Sequence, residues 1–203
     1  MPHDMFRPWG ADGSPKAVLR RSLPRLSGRD RETAESLLAS RSLSPKQTAL
    51  AASLTDRAKA PPAPTTDGLG PIVAILTAAG ARLKWPVIRF AAGDIKFRLS
   101  LTGPQSRDPG SVSVTSDEKS FRDRAYFGRI NPLGTFEPGH KHAQAAAEIG
   151  AALVAFAAAP AAQARMYGQR FGRCCFCGLE LTDGRSVDAG YGPICADKFG
   201  LAW

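Results

Sequence analysis

Cysteine and histidine are scarce in this chain, and their scarcity excludes several kinds of protein. Its 203 residues include three histidines and four cysteines, and every cysteine lies from residue 174 onward. A secreted disulfide framework spreads its cysteines along the chain, so this clustering indicates metal or redox chemistry instead. Three histidines are few for acid–base catalysis, and no G-x-S-x-G, P-loop or H-E-x-x-H string occurs. The sequence therefore favours a protein that is not an enzyme.

Long apolar runs are also missing. The N-terminus has no apolar run behind its charges, so it lacks the pattern of a secretory signal. The most apolar stretch, residues 149–162, is rich in alanine and is flanked by Glu148 and Arg165. A helix that spans a bilayer needs about 20 apolar residues, more than this stretch offers. We expect a soluble, cytoplasmic protein with no membrane partner.

Acidic residues are outnumbered by basic ones. The chain has 27 Lys and Arg against 18 Asp and Glu, a formal net charge of +9. Such an excess favours a polyanionic partner, with nucleic acid ahead of an anionic membrane surface or an acidic protein. The alternative is a solvated basic surface that serves solubility.

Composition and periodicity divide the chain into five segments. Residues 1–25 mix Pro, Gly and basic residues without apolar periodicity, which predicts a flexible basic arm. Ser44, Pro45 and Gln47 form a capping box inside a predicted helical hairpin, residues 26–60. A proline-rich linker is predicted at 61–68. The remaining segments are an α+β core at 69–167 and a zinc-finger-like module at 168–203.

The predicted core changes its apolar period from helical to extended after Trp85. Between Ile95 and Leu101, apolar residues alternate with Lys96, Arg98 and Ser100. Four or five short strands joined by tight turns predict a small antiparallel β-sheet with flanking helices, an α+β fold. A small open barrel and a sheet backed by helices both fit this pattern.

Three of the cysteines have the spacing of a metal site. Cys174 and Cys177 form a C-x2-C turn followed by Gly178, and 17 residues separate Cys177 from Cys195. Residues 179–181 and 186–187 are predicted to pair as a short hairpin. Pro193 is suited to begin a helix that carries Cys195. The pattern predicts a treble-clef-like zinc finger with zinc as its cofactor.

The fourth ligand of this predicted finger is not evident. A complete finger of this kind ends in a second C-x2-C, whose last position here is Lys198, and a protonated lysine does not bind zinc. The candidates are Cys175, Asp197, His140 and His142. An open position occupied by water is a further alternative and would permit a metal-assisted hydrolase. A C-x-x-C redox pair and inert buried cysteines are the alternatives to a metal site.

The C-terminal strings resemble a known module. The runs R-C-C-F-C-G at 173–178 and G-Y-G-P-I-C at 190–195 are similar to a cysteine-containing module of unassigned function at the ends of phage and prophage proteins. Residues 43–47 and 126–130 resemble segments that accompany it. The resemblance implies Cys174, Cys177 and Cys195 as ligands and leaves Cys175 outside the pattern. It also implies a phage or mobile-element origin and association with nucleic acid.

Basic residues on the predicted strands and on the C-terminal segment form a candidate nucleic-acid surface. They are Arg89, Lys96, Arg98, Arg122, Arg124, Arg129, Arg170, Arg173, Arg185 and Lys198. The aromatics interleaved with them are Phe90, Phe97, Tyr126 and Phe127. Basic surfaces with exposed aromatics neutralise and stack single strands. We therefore expect a non-enzymatic protein that binds single-stranded DNA or RNA. The alternative is a protein-interaction factor, an inhibitor or adaptor of a host nucleic-acid-processing or defence complex.

Overall fold

The computed structural model describes residues 14–26, 28–59, 65–139, 142 and 145–203. The chain divides into two units, Met1–Pro62 and Ala63–Trp203. Residues 1–13 of the predicted arm, residues 61–64 of the predicted linker, and His140 lie outside the described residues.

The described residues of the first unit form three α-helices, α1 (Pro15–Ser22), α2 (Gly28–Ala39) and α3 (Pro45–Lys59). Their shared core consists of Leu19, Leu26, Ala34, Leu37, Ala51, Leu54 and Ala58. The structure corrects the predicted flexible arm from Pro15 onward. Ser14 caps α1 by accepting a hydrogen bond from the Ala17 N–H, and Leu19 is fully buried in the shared core. One buried leucine in eight residues is too few to show as a sequence period.

The capping box at the start of α3 is confirmed. The Ser44 N–H donates to Gln47 Oε1 at 2.9 Å, and the Gln47 N–H donates back to Ser44 Oγ at 3.3 Å. Pro45 is the first residue of the helix, where its missing N–H has no intrahelical acceptor to lose.

The second unit is an α+β fold built on a five-stranded antiparallel sheet, as predicted. Its strands are β1 (Val87–Ala92), β2 (Ile95–Leu101), β3 (Val112–Ser116), β4 (Tyr126–Ile130) and β5 (Phe136–Pro138). They pair in sequence order, which makes an open sheet with β1 and β5 at its edges. The helices are α4 (Gly70–Gly80), α5 (Ala146–Ala158), α6 (Pro160–Phe171), α7 (Gly184–Ala189) and α8 (Pro193–Phe199).

No single helix in the described part of the chain has the length and apolar character to cross a membrane. Helices α5 and α6 meet that test only when taken together, and they bend by 120° at the break between them.

The two faces of the sheet differ because side chains alternate along each strand. Phe90 lies opposite Phe97 on the buried face, and Phe156 of α5 packs edge-on against Phe90 with ring centroids 4.5 Å apart. On the other face Arg89 lies opposite Arg98, which in turn lies opposite Thr115. We call this second face the polar face. Its side chains on β1 to β3 are half-buried or exposed, apart from the buried Val87.

Both edges of the sheet are partly covered. At β5, Thr66 exchanges two backbone hydrogen bonds with Phe136, of 3.3 and 2.7 Å. At β1, the Arg89 N–H donates to the Cys175 carbonyl at 2.7 Å. An unpaired strand edge can pair with other chains, so these contacts protect the sheet. The second contact also attaches residues 168–203, which contain the four cysteines and which we call the cysteine segment, to the sheet.

Helix α6 and the end of α7 cross at a contact that only glycine permits. A Cβ on Gly168 would overlap the Gly190 backbone, and a Cβ on Gly190 would overlap the backbone of Ala164 and Arg165. Gly190 also ends α7 with φ +83°, a conformation that other residues adopt at a cost. This crossing fixes the position of the segment that leads to Cys195.

We predict that Gly190→Ala lowers the free energy of unfolding by at least about 2 kcal/mol, because strained backbone and steric overlap act together. Gly184→Ala is the matched control, since a Cβ there meets nothing within 4 Å. It should be neutral or slightly stabilising. Denaturant unfolding of both variants measures the difference, and equal stabilities would contradict the described crossing.

Candidate metal centre and basic surface

The three predicted cysteine ligands converge. The Sγ atoms of Cys174, Cys177 and Cys195 all lie within 4.8 Å of one another. Thiolates bound to a tetrahedral zinc ion at about 2.3 Å would be roughly 3.8 Å apart, so a small inward movement suffices. The donor set therefore fits a metal ion that prefers sulfur ligands.

The backbone turns tightly between the first two ligands. The Gly178 N–H donates to the Cys174 carbonyl at 2.9 Å, and the Cys174 N–H donates to the Leu179 carbonyl at 2.9 Å. Gly178 has φ +77°, which the turn requires. A Cβ at Gly178 would also come within 3.2 Å of the Arg89 guanidinium carbon. Glycine here therefore serves both the turn and its contact with the sheet.

The third ligand is brought to the turn by aromatic packing. Phe176, between Cys174 and Cys177, is buried and stacks on Phe199 of α8 with centroids 4.1 Å apart. Tyr191 packs edge-on against the Phe176 ring, with centroids 5.7 Å apart. Cys195 lies in the first turn of α8, which begins at Pro193 as predicted. Hydrophobic packing thus contributes to bringing the thiols together.

The predicted hairpin between the ligands is wrong. Glu180 instead forms an isolated bridge with Arg173, and residues 184–189 form α7. Asp183 caps α7, because its carboxylate accepts hydrogen bonds from the Ser186 N–H at 2.9 Å and the Ser186 hydroxyl at 3.0 Å. These bonds lower the pKa of the Asp183 carboxyl. The ends of the predicted finger agree with the structure and its middle does not.

Three of the candidate fourth ligands, Cys175, Asp197 and His142, lie outside the three-cysteine group, and His140 is not among the described residues. Cys175 is buried, and burial raises the pKa of its thiol well above the usual value. Asp197 accepts a hydrogen bond from Arg82 at 3.1 Å, and the His142 ring packs edge-on against Phe127. Within the described residues, the metal-ligand group contains the three cysteines and no fourth member.

The three thiols border a cavity of about 210 Å³. Its wall is largely apolar and includes Leu181, Pro193 and Ile194, while Glu180 and Asp183 contribute the acidic groups. Leu179 and Ile194 are 70% and 68% exposed at its margin. A ligand from solvent or from another molecule can therefore approach a metal held by the three cysteines.

The thiols share hydrogen bonds in a way that favours one thiolate. The Cys195 thiol, with help from the Cys177 and Phe176 N–H groups and against the effect of burial, lowers the pKa of Cys174 to about 5. The Cys195 thiol donates a hydrogen bond to Cys174 and is also partly buried. Both effects, the first more than the second, raise the pKa of Cys195. A metal ion replaces these shared protons when it binds thiolates.

Arg89 connects residues 174–178, which we call the cysteine turn, with the sheet. Its Nη1 donates to the Phe176 carbonyl at 2.6 Å, and its Nε lies 3.4 Å from Asp117 Oδ1. Both side chains of this ion pair are about four-fifths buried, with exposed fractions of 20% and 19%. The sequence pattern placed Arg89 in a nucleic-acid surface, whereas the structure shows it bonded to the turn beside the predicted ligands.

The arginines of the polar face fall into two groups. Arg98 and Arg124 belong with Arg89, because the charges of Arg124 and Arg89 both act on Arg98. Arg129 belongs to a separate group, in which it pairs with Asp108 and with Glu137, the latter at 2.9 Å.

The two cations of the β3–β4 loop differ in their contacts. The Arg124 guanidinium donates to the carbonyls of Glu118 at 2.8 Å and Lys119 at 3.2 Å. Arg122 is exposed. On β2, Lys96 is exposed and its Nζ lies 4.7 Å from the centre of the Phe171 ring.

The four remaining cations lie on the C-terminal segment. Arg170 Nη2 is 3.8 Å from Asp94 Oδ1, and Arg173 donates to the Gly178 carbonyl at 3.2 Å. The Arg185 guanidinium lies over the Trp203 ring at 3.9 Å, and Lys198 is half-buried. These cations are therefore dispersed along the segment.

The aromatic residues divide between core and surface. Phe90, Phe97 and Phe127 are buried, so three of the four aromatics predicted to flank the basic residues belong to the core. Tyr126 is 49% exposed on β4. Phe121, which sequence reasoning missed, is 81% exposed below Arg124, with 5.8 Å between the guanidinium and the ring centre. A signal existed, since Phe121 stands alone among charged residues without an apolar period.

Comparison with known proteins reaches only the cysteine segment. A model described as "Family of unknown function (DUF6011)" matches residues 164–200, from within α6 to the end of α8. No curated protein and no solved structure matches the chain. The similarity therefore covers all three candidate ligands and leaves the sheet and the N-terminal unit outside it.

We predict that Cys174→Ser, Cys177→Ser and Cys195→Ser each lose most of the bound metal, because each removes one of three thiolate ligands. Cys175→Ala is the control, since this thiol is buried outside the group. It should retain one metal ion per chain. Elemental analysis of the purified, dialysed proteins measures the ratio. Metal loss in Cys175→Ala without loss of fold would contradict the three-cysteine assignment.

We also predict that Arg89→Met weakens metal binding about tenfold without removing a ligand, because groups that hold metal ligands in place contribute at this level. Arg82→Met is the control. Arg82 also contacts the cysteine segment, through Asp197, but that pair is exposed and contributes little. Competition with a chromophoric chelator gives both affinities. Equal losses in the two variants would contradict a specific role for Arg89.

Proposed function

We propose that this protein binds single-stranded nucleic acid through the polar face of its sheet, and that a zinc ion on Cys174, Cys177 and Cys195 holds the C-terminal segment against that sheet. The observation that carries the proposal is the position of Arg89. It contacts the cysteine turn on one side and belongs to the arginine group of the polar face on the other.

Zinc suits the site because its donors are thiolates. Soft sulfur ligands favour zinc, copper(I) and iron–sulfur clusters over hard cations. Unlike a cluster, zinc binds to one group of cysteines as a single ion. Bound there, zinc would supply a cross-link between the cysteine turn and α8. The turn would then remain attached to β1, and Arg89 would keep its orientation on the polar face.

The polar face supports nucleic-acid binding by its charge and its exposed rings. Arg98, Arg124 and Lys96 contribute positive charge there and lack a salt-bridge partner among the described residues. The rings of Tyr126, which lies opposite Thr115, and of Phe121, which lies below Arg124, are exposed. Phosphate neutralisation by cations together with stacking on aromatics is how sequence-tolerant proteins bind single strands.

The test is the salt dependence of binding to a short, labelled single strand, measured by fluorescence anisotropy. Affinity should fall at least about tenfold between about 50 and 200 mM salt, because released counterions oppose binding at high salt. Lys96→Glu should bind the strand more weakly than the wild type at each salt concentration. Lys46→Glu is the matched control, since it makes the same charge change at an exposed residue of α3 in the first unit. Absent binding to DNA and RNA, or binding insensitive to salt, would overturn the proposal.

A second candidate function is protein binding at the cysteine site. The observation in its favour is the exposed pair of apolar side chains, Leu179 and Ile194, at the margin of the cavity beside the three thiols. Capture of a defined protein by the wild type, after nuclease treatment, and its loss in Leu179→Ser would support an inhibitor or adaptor. The phage or mobile-element origin implied by the sequence resemblance is compatible with either function and remains part of the proposal.

A further inference from the structure

We propose that Arg98, flanked by Arg89 and Arg124, forms a phosphate-binding site on the polar face, which we call the seat. The inference rests on the proposed function, in which the nucleic-acid backbone supplies that phosphate. It goes further by naming one site among the dispersed cations of the chain.

The first argument is an unpartnered donor. Arg98 Nε is buried and has no hydrogen-bond partner among the described residues. Buried donors are nearly always paired, and an unpaired one costs stability. Arg98 as a residue is half-buried, so part of its side chain reaches the polar face, where an acceptor can arrive from outside.

The second argument is the local excess of positive charge. Arg89 and Arg98 lie directly opposite each other on β1 and β2, an arrangement in which like charges destabilise a sheet. Burial, and then the charges of Arg124 and Arg89, lower the pKa of Arg98. Within the described residues, Asp117 is the acidic group that acts on Arg98, and it is already paired with Arg89. One carboxylate therefore faces three guanidinium groups.

The third argument is that the neighbouring contacts hold the seat in position. Arg89 is held by the Phe176 carbonyl and Asp117, and Arg124 by the carbonyls of Glu118 and Lys119. Guanidinium groups that are already oriented lose little freedom when they bind an anion. The ligand chemistry that fits is an oxyanion with several acceptor oxygens, because each guanidinium can donate two parallel hydrogen bonds.

The exposed rings favour a phosphate that belongs to a nucleic acid. Phe121 lies below Arg124, and Tyr126 follows Thr115 in the row of paired residues that begins at Arg89 and Arg98. A phosphodiester in the seat would leave its adjacent bases within the region of these rings. Free phosphate would use the same guanidinium groups without the rings.

The experiment compares Arg98→Gln with Arg41→Gln, a control that removes the same charge from an exposed arginine of the first unit. For a labelled single strand, Arg98→Gln should raise Kd about tenfold and reduce the slope of log K against log salt by about 1. Arg41→Gln should change Kd by less than about threefold. In phosphate-free buffer Arg98→Gln should melt at the wild-type temperature or above it, since the substitution relieves repulsion between arginines.

A second measurement follows the arginine Nε–H resonances during titration with inorganic phosphate. The wild type should show one shifting resonance that is missing in Arg98→Gln. If phosphate shifts that resonance but no strand binds, the seat is supported as a site for free phosphate and the proposed function is overturned. If strands bind equally to wild type and Arg98→Gln and phosphate shifts nothing, the seat is overturned and the proposed function stands. If neither ligand binds, both are overturned.

Discussion

Arg89 is bonded to the cysteine turn through its backbone and through its side chain, and this double attachment organises the second unit. Its N–H donates to the Cys175 carbonyl, its guanidinium donates to the Phe176 carbonyl, and Gly178 leaves the space that the guanidinium occupies. The sheet edge, the candidate metal centre and the arginine group of the polar face therefore share one residue. A change that displaces Arg89 affects all three.

Local patterns predicted the parts of the fold that depend on local physics. The alternation from Ile95 to Leu101 gave the correct faces of β2, because a half-buried strand must segregate its side chains. The capping box of α3 and the proline at the start of α8 depend on neighbouring residues alone, and both are present. The hairpin after the cysteine turn failed because Asp183 and Gly184 suit a turn and a helix start equally well. The packing of the segment selected the helix.

The convergence of the three candidate ligands was predictable and their surroundings were not. Cysteine spacing predicted that Cys174, Cys177 and Cys195 come together, and their sulfur atoms lie within 4.8 Å of one another. Spacing carries no information on which distant groups approach them, so Arg89 was assigned to a surface although it contacts the turn. The ion pairs of Arg129 likewise depend on Asp108 and Glu137, which only the folded loops bring near. Sequence alternation assigns a side chain to a face and leaves its partner undetermined.

The contact between Arg89 and the Cys175 carbonyl has a consequence for misassembly. It occupies a backbone donor on β1, the edge strand that would otherwise be open to an intruding chain at this point. If the cysteine turn detached, β1 would present a free donor beside the apolar residues Ile88 and Phe90, which is a template for pairing between copies. An attached turn therefore protects this edge of the sheet against pairing between copies of the chain.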